Sequence, residues 1–139
     1  MPYLGTTVDN DPILDNTGVV VHELLRWLDV IPGRRWLLLG PAAAELAAAI
    51  QDTCQPAGVT AADDTLPLDA STFDVAILTD GSLTQAVAVE LHRVIWPSGI
   101  AAAWVRGERA ELEAIFRSAG LHAVQTCEIG TLTAVRGAR

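Results

Sequence analysis

Few residues in this sequence stand at spacings that do chemistry. The three histidines, His22, His92 and His122, lie far apart, and neither HxxxH nor HExxH occurs. Zinc needs ligands in close pairs or one helical turn apart, so these histidines read as structural or exposed, and no metal site is expected. Cys54 and Cys127 form no CxxC and read as buried, reduced thiols rather than a disulfide. No GxSxG offers a serine nucleophile, and no GxxxxGK[ST] offers a phosphate cradle. What remains is a glycine turn around Gly40, between an apolar run and an alanine-rich one. A single turn of that kind specifies no ligand. Trp27, Trp36, Trp96 and Trp104 fall within or at the ends of expected elements, where packing is their default role.

The elements that must hold this turn can be read from periodicity. Residues 1–17 are rich in turn and cap formers, among them Pro2, Gly5, Asn10, Pro12 and Asn16, and read as an irregular arm before a single domain over 18–139. Apolar residues at Val20, Leu24, Leu28 and Ile31 predict a helix from Val19 to Val30, ended by Pro32-Gly33. Arg35 to Leu39 is a continuous apolar strand, the pattern of a strand buried on both faces in a parallel sheet. The alanine-rich helix after Pro41 runs to near Thr53, where Pro56-Ala57-Gly58 reads as a chain break and Val59 to Ala61 as a very short strand. A strand at Phe73 to Leu78, a turn at Asp80-Gly81, a helix at Leu83 to Ile95 and a strand at Ile100 to Val105 follow. A helix at Glu108 to Ala119 then leads to two strands, Leu121 to Glu128 and Thr131 to Arg136, expected to pair antiparallel about Gly130. Alternating strands and helices in this order form a doubly wound α/β sheet.

Composition limits the partners. The net charge is −8, all nine cations are arginine, and only Arg34 and Arg35 are adjacent. Binding a nucleic acid requires clustered cations that displace counterions, so nucleic acid is not an expected partner. No apolar run reaches membrane-spanning length, and the first residues, MPYLGTTVDNDPILDN, lack the basic and apolar regions of a secretory signal. A cytoplasmic protein with no membrane partner is the expectation.

Four segments carry a resemblance. GRRWLLLGPAAAELAAAI (Gly33 to Ile50), TLPLDASTFDVAIL (Thr65 to Leu78), ELHRVIWPSGIAAAW (Glu90 to Trp104) and LEAIFRSAGLHAVQT (Leu112 to Thr126) occur in the order and near the spacing of class I S-adenosylmethionine (SAM)-dependent methyltransferases. The sequence resembles the small-molecule, type 11-like members of that family. The resemblance implies a Rossmann-like, mostly parallel sheet with an antiparallel C-terminal hairpin. It also implies a cofactor site drawn from Gly40, Ala42, Asp63, Asp64, Thr79 and Asp80.

The departures from the family pattern concern that site. Family glycines after the first strand let the backbone approach SAM, where a Cβ would collide. Here Gly40 is kept, Ala42 and Ala44 replace the next two glycines, and Pro41 removes a backbone donor. Leu38 stands where the family often has an acid. Only QDTCQPAGVTAADD separates the first helix from the LPLDAS loop, so a strand–helix unit is missing and the ribose-binding carboxylate has no clear counterpart. Asp63 or Asp64 falls where an adenine-contacting acid would lie. The resemblance therefore implies a shortened, methyltransferase-like binding or assembly module with an eroded cofactor site and no cofactor. The missing unit should leave the apolar strand at Trp36 to Leu39 short of cover, favouring a homodimer or a heterodimer with a related protein. The alternative is a minimal active methyltransferase using SAM on a small molecule. Methyl transfer from a sulfonium needs little acid–base help, so lack of catalytic side chains does not exclude it.

Overall fold

The computed structural model describes residues 21–58, 68–79 and 83–139. In β1 (Arg35–Leu39), Trp36, Leu37, Leu38 and Leu39 are all buried. Side chains alternate along a strand, so Trp36 and Leu38 enter the core on one face of the sheet, and Leu37 and Leu39 the core on the other. Both faces therefore need helices. On the first lie α1 (residues 21–28), with Leu24 and Leu28 inward, and α2 (Ala43–Ile50), with Leu46 and Ile50 inward. On the second lie α3 (Gln85–Val94), with Leu91 and Val94 inward, and α4 (Arg109–Ser118), with Leu112 and Phe116 inward.

The other strands are β2 (Gln55–Gly58), β3 (Phe73–Thr79), β4 (Ile95–Val105), β5 (His122–Ile129) and β6 (Leu132–Ala138). Their order in the sheet is β2-β1-β3-β4-β6-β5. The first four run parallel, and β6 is antiparallel to both its neighbours. This is the mostly parallel, doubly wound sheet with an antiparallel C-terminal hairpin that the sequence leads one to expect. The parallel arrangement brings the ends of β1 and β3 to the same edge, which positions the site described below.

Four expectations are corrected. The Pro56-Ala57-Gly58 break is instead part of β2. The Gln55 N–H reaches the Arg34 carbonyl at 2.9 Å, so alternation turns Pro56, which has no N–H, away from β1. At the margin of a sheet that position costs no ladder hydrogen bond. Second, β4 begins at Ile95 rather than Ile100. Pro97-Ser98-Gly99 does not end the strand; it forms an irregularity across which the register moves from Phe73↔Ile95 to Val75↔Ile100. Ser98 has φ +74° there, and a Cβ on Gly99 would lie 2.8 Å from the Trp96 carbonyl oxygen. Third, β1 is not short of cover: its four apolar residues are at most 4% exposed within the single chain. The alanine-rich α2 supplies Leu46 and Ile50 at the contact, and α1 covers the rest of that face. Fourth, Trp96 does not pack; it is 50% exposed beside the irregularity, whereas Trp36 and Trp104 are buried and Trp27 packs partly against the α1–α2 core.

Cys54 and Cys127 are both free thiols, the first buried and the second only partly so. No helix among the described residues is long and apolar enough to cross a membrane. The arm at 1–17, the short strand at Val59–Ala61 and the turn at Asp80-Gly81 lie outside the described residues.

Candidate cofactor site at the ends of β1 and β3

Where β1 ends, the chain must leave the sheet and enter α2 within three residues. Gly40 makes this possible. Its φ is +95°, and a Cβ there would sit 1.9 Å from the Thr79 carbonyl oxygen, so no L-side chain fits. Pro41 and Ala42 complete the turn, and the Ala43 N–H closes it on the Gly40 carbonyl at 3.1 Å. Ala42 is the N-cap of α2, with φ −90° and ψ 8°, and has no side-chain oxygen to offer the helix. Its methyl packs against the core beneath α1 and α2 rather than standing clear of the turn.

The polar groups of this turn are held by Thr79, the last residue of β3 and wholly buried. Its hydroxyl donates to the Leu39 carbonyl at 2.8 Å and accepts the Ala42 N–H at 3.1 Å. One hydroxyl thus ties the end of β1, the start of α2 and the end of β3 together. A helix N-terminus presents free N–H groups and a positive dipole end to a ligand. Here the Ala42 donor is already engaged, and the exposed Glu45 sets a carboxylate in the first turn of α2.

Of the six residues the sequence singles out, Gly40, Ala42 and Thr79 come together. Asp63, Asp64 and Asp80 lie outside the described residues. β2, the neighbour of β1 on this edge, is Gln55-Pro56-Ala57-Gly58 and carries no acid. The Leu39 carbonyl, which joins them, is a backbone group with no signature in the sequence; the contact to Thr79 spans forty positions. The histidines stay away from this turn where the structure relates them to other groups. His92 on α3 lies against Gly120, at the end of α4. Burial, and then the positive charge of Arg139, hold its pKa below the ordinary histidine value. Among the described residues no group of three His, Cys, Asp or Glu is placed to hold a metal ion.

No protein-family model matches the sequence, and no curated protein matches it. Solved structures match the fold. A chain of the complex between the Haloferax volcanii Trm112 methyltransferase activator and a methyltransferase is 14% identical, with a TM-score of 0.77 over 91% of this chain and 92% of that one. A SAM-dependent methyltransferase of Aquifex aeolicus is 16% identical, with a TM-score of 0.72 over 92% of this chain and 93% of that one. A SAM-dependent methyltransferase of Thermotoga maritima is 15% identical, with a TM-score of 0.66 over 91% of each chain.

Proposed function

We propose that this chain, built on the class I SAM-dependent methyltransferase fold, has lost its cofactor and works as a cytoplasmic binding or assembly module. The observation that carries this reading is the donation of the Ala42 N–H to the Thr79 hydroxyl. The family resemblance implies that the turn after β1 gives its backbone to SAM; here the Ala42 N–H is bound to the end of β3. The described part of β2, Gln55–Gly58, offers no carboxylate to ribose hydroxyls, which acts in the same direction. On this reading no methyl-transfer step is assigned to the described residues.

A protein partner, either a second copy or a related chain, belongs to this reading. Two observations support it. A match to this fold occurs in a complex with the Trm112 activator. Val89 and Trp96 also expose large apolar side chains, at 44% and 50%. The two free thiols suit a reducing compartment. The second reading, a minimal active methyltransferase on a small molecule, is favoured by one feature, the retained Gly40 turn at φ +95°.

Calorimetric titration with SAM and S-adenosylhomocysteine separates the two. Neither should bind saturably to the wild-type chain or to an Ala42→Gly, Ala44→Gly double variant. The double variant should lose about 1 kcal/mol of stability, from glycine at Ala44 inside α2, because glycine is no worse than alanine at the N-cap. A dissociation constant near ~10 μM for the wild type, about −7 kcal/mol, overturns the module reading. The same affinity in the double variant alone shows that the loop methyls, rather than the missing strand, block the site.

A further inference from the structure

At the opposite edge of the sheet, where β1, β3 and β4 begin and β6 ends, a groove of about 320 Å³ opens beside the end of α1. Its apolar lining includes Leu28, Ile31, Val75 and Ile100. Ile31 is 45% exposed there, one of the few large apolar side chains left open to water among the described residues. Two arginines, Arg34 and Arg136, share the lining with one acidic residue, Asp29.

Arg136, on β6, is fixed in place by neutral partners. Its guanidinium lies 4.9 Å from the centre of the Trp27 ring. Nε and Nη2 donate to Gln125 Oε1 at 3.1 and 2.7 Å, and Nη1 donates to the Trp27 carbonyl. Three of five N–H donors are thereby engaged, and two remain. Neither Arg136 nor Arg34 forms an ion pair among the described residues; the ion pairs found there join Arg93 to Glu90 and Arg117 to Glu113. A chain of net charge −8 thus gathers an excess of positive charge at an apolar groove. A guanidinium held rigid with donors to spare is the arrangement that receives a carboxylate. The volume lies at the small end of ligand pockets, roughly 300–1,000 Å³.

We propose that this groove binds a small organic acid, its carboxylate on Arg136 and Arg34 and its hydrocarbon body against Ile31, Val75 and Ile100. The site is separate from the Gly40–Thr79 turn, so a failure to bind SAM leaves it unaffected. Its failure likewise leaves the reading of the turn intact.

The test is NMR titration of the full chain with hexanoate, hexanol and inorganic phosphate, followed through the Trp27 indole N–H and the Gly137 and Ala138 amides. Hexanoate should shift these signals saturably. Hexanol, which lacks the charge, and phosphate, which lacks the body, should each bind at least about tenfold more weakly. Arg34→Gln should weaken hexanoate by about tenfold, and Arg136→Lys, which keeps the charge but not the fork, should do so too. If Arg136→Lys does not fold, Arg34→Gln decides the matter alone. No saturable shift with hexanoate, equal affinity for hexanol or phosphate, or unchanged affinity in Arg34→Gln would overturn the proposal.

Discussion

Exchanging the Thr79 hydroxyl for a methyl group, Thr79→Val, removes the knot at the end of β1 while keeping the side chain's shape. Thr79 is wholly buried, so the change is in polarity alone. Two hydrogen bonds are lost, at 2.8 Å to the Leu39 carbonyl and 3.1 Å from the Ala42 N–H. Each contributes about 1 kcal/mol net, and a buried group left without a partner costs about 1–3 kcal/mol. The Ala42 residue is only partly buried, so water recovers part of its loss. The new methyl returns about 0.8 kcal/mol of apolar burial. The balance is a destabilisation of about 1.5–2.5 kcal/mol, which lowers Tm by roughly 5–10 °C for a chain of this size. Urea and thermal unfolding followed by circular dichroism measure it. Thr79→Ser serves as control, since it keeps the hydroxyl and loses one methyl, for about 1 kcal/mol. A second readout is amide exchange. Ala42 should lose protection beyond the loss seen at Leu37 and Leu38, whose amides report global unfolding. A valine variant within ~0.5 kcal/mol of wild type, or an Ala42 amide no less protected than before, refutes the reasoning.

Two further perturbations test the same framework. Gly40→Ala places a methyl 1.9 Å from the Thr79 carbonyl oxygen at φ +95°, and should cost more than ~3 kcal/mol in urea unfolding from strain and displacement of the β3 end; a loss below ~1 kcal/mol would show that the turn is slack. His92 titrates low because burial, then Arg139, disfavours its charged form. Between its folded and unfolded pKa values the unfolded chain binds more protons, so stability is full above the unfolded value of 6.5 and declines as pH falls toward the folded one. His92→Gln should flatten the stability profile below pH 6.5, and identical profiles for the two proteins would remove His92 from the account.

Much of the sheet was legible because its strands obey simple patterns. The run Trp36-Leu37-Leu38-Leu39 is apolar throughout, and β1 spans the expected residues. β2 was hidden because Gln55-Pro56-Ala57-Gly58 reads as punctuation. Only its place at the margin of the sheet, with Pro56 facing away from β1, makes it a strand. The start of β4 was hidden for a related reason: Pro97-Ser98-Gly99 normally ends an element, and here β3 holds the chain on both sides of it. At the site, Gly40, Ala42 and Thr79 could be singled out by resemblance. The knot joining them could not, because Thr79 and Leu39 meet through a fold-level contact that no local pattern encodes. The groove at the other edge was missed altogether, since Arg34, Gln125 and Arg136 converge only after β5 and β6 have paired beside α1.

The place of β6 has a consequence for biosynthesis. β6 follows β5 in the chain, yet lies between β4 and β5 in the sheet. A nascent chain that has finished β4 at Val105 has no partner for that strand's outer edge until Leu132 and the residues after it emerge. At about 5–20 residues per second, the gap between those two points lasts roughly one to five seconds. Hairpin closure takes only microseconds, so translation rather than folding sets that interval. Throughout it, the run Ala101-Ala102-Ala103-Trp104-Val105, buried in the finished protein, presents an unpaired apolar edge. A ribosome stalled between α4 and β6 would hold this edge open to aggregation and to chaperones.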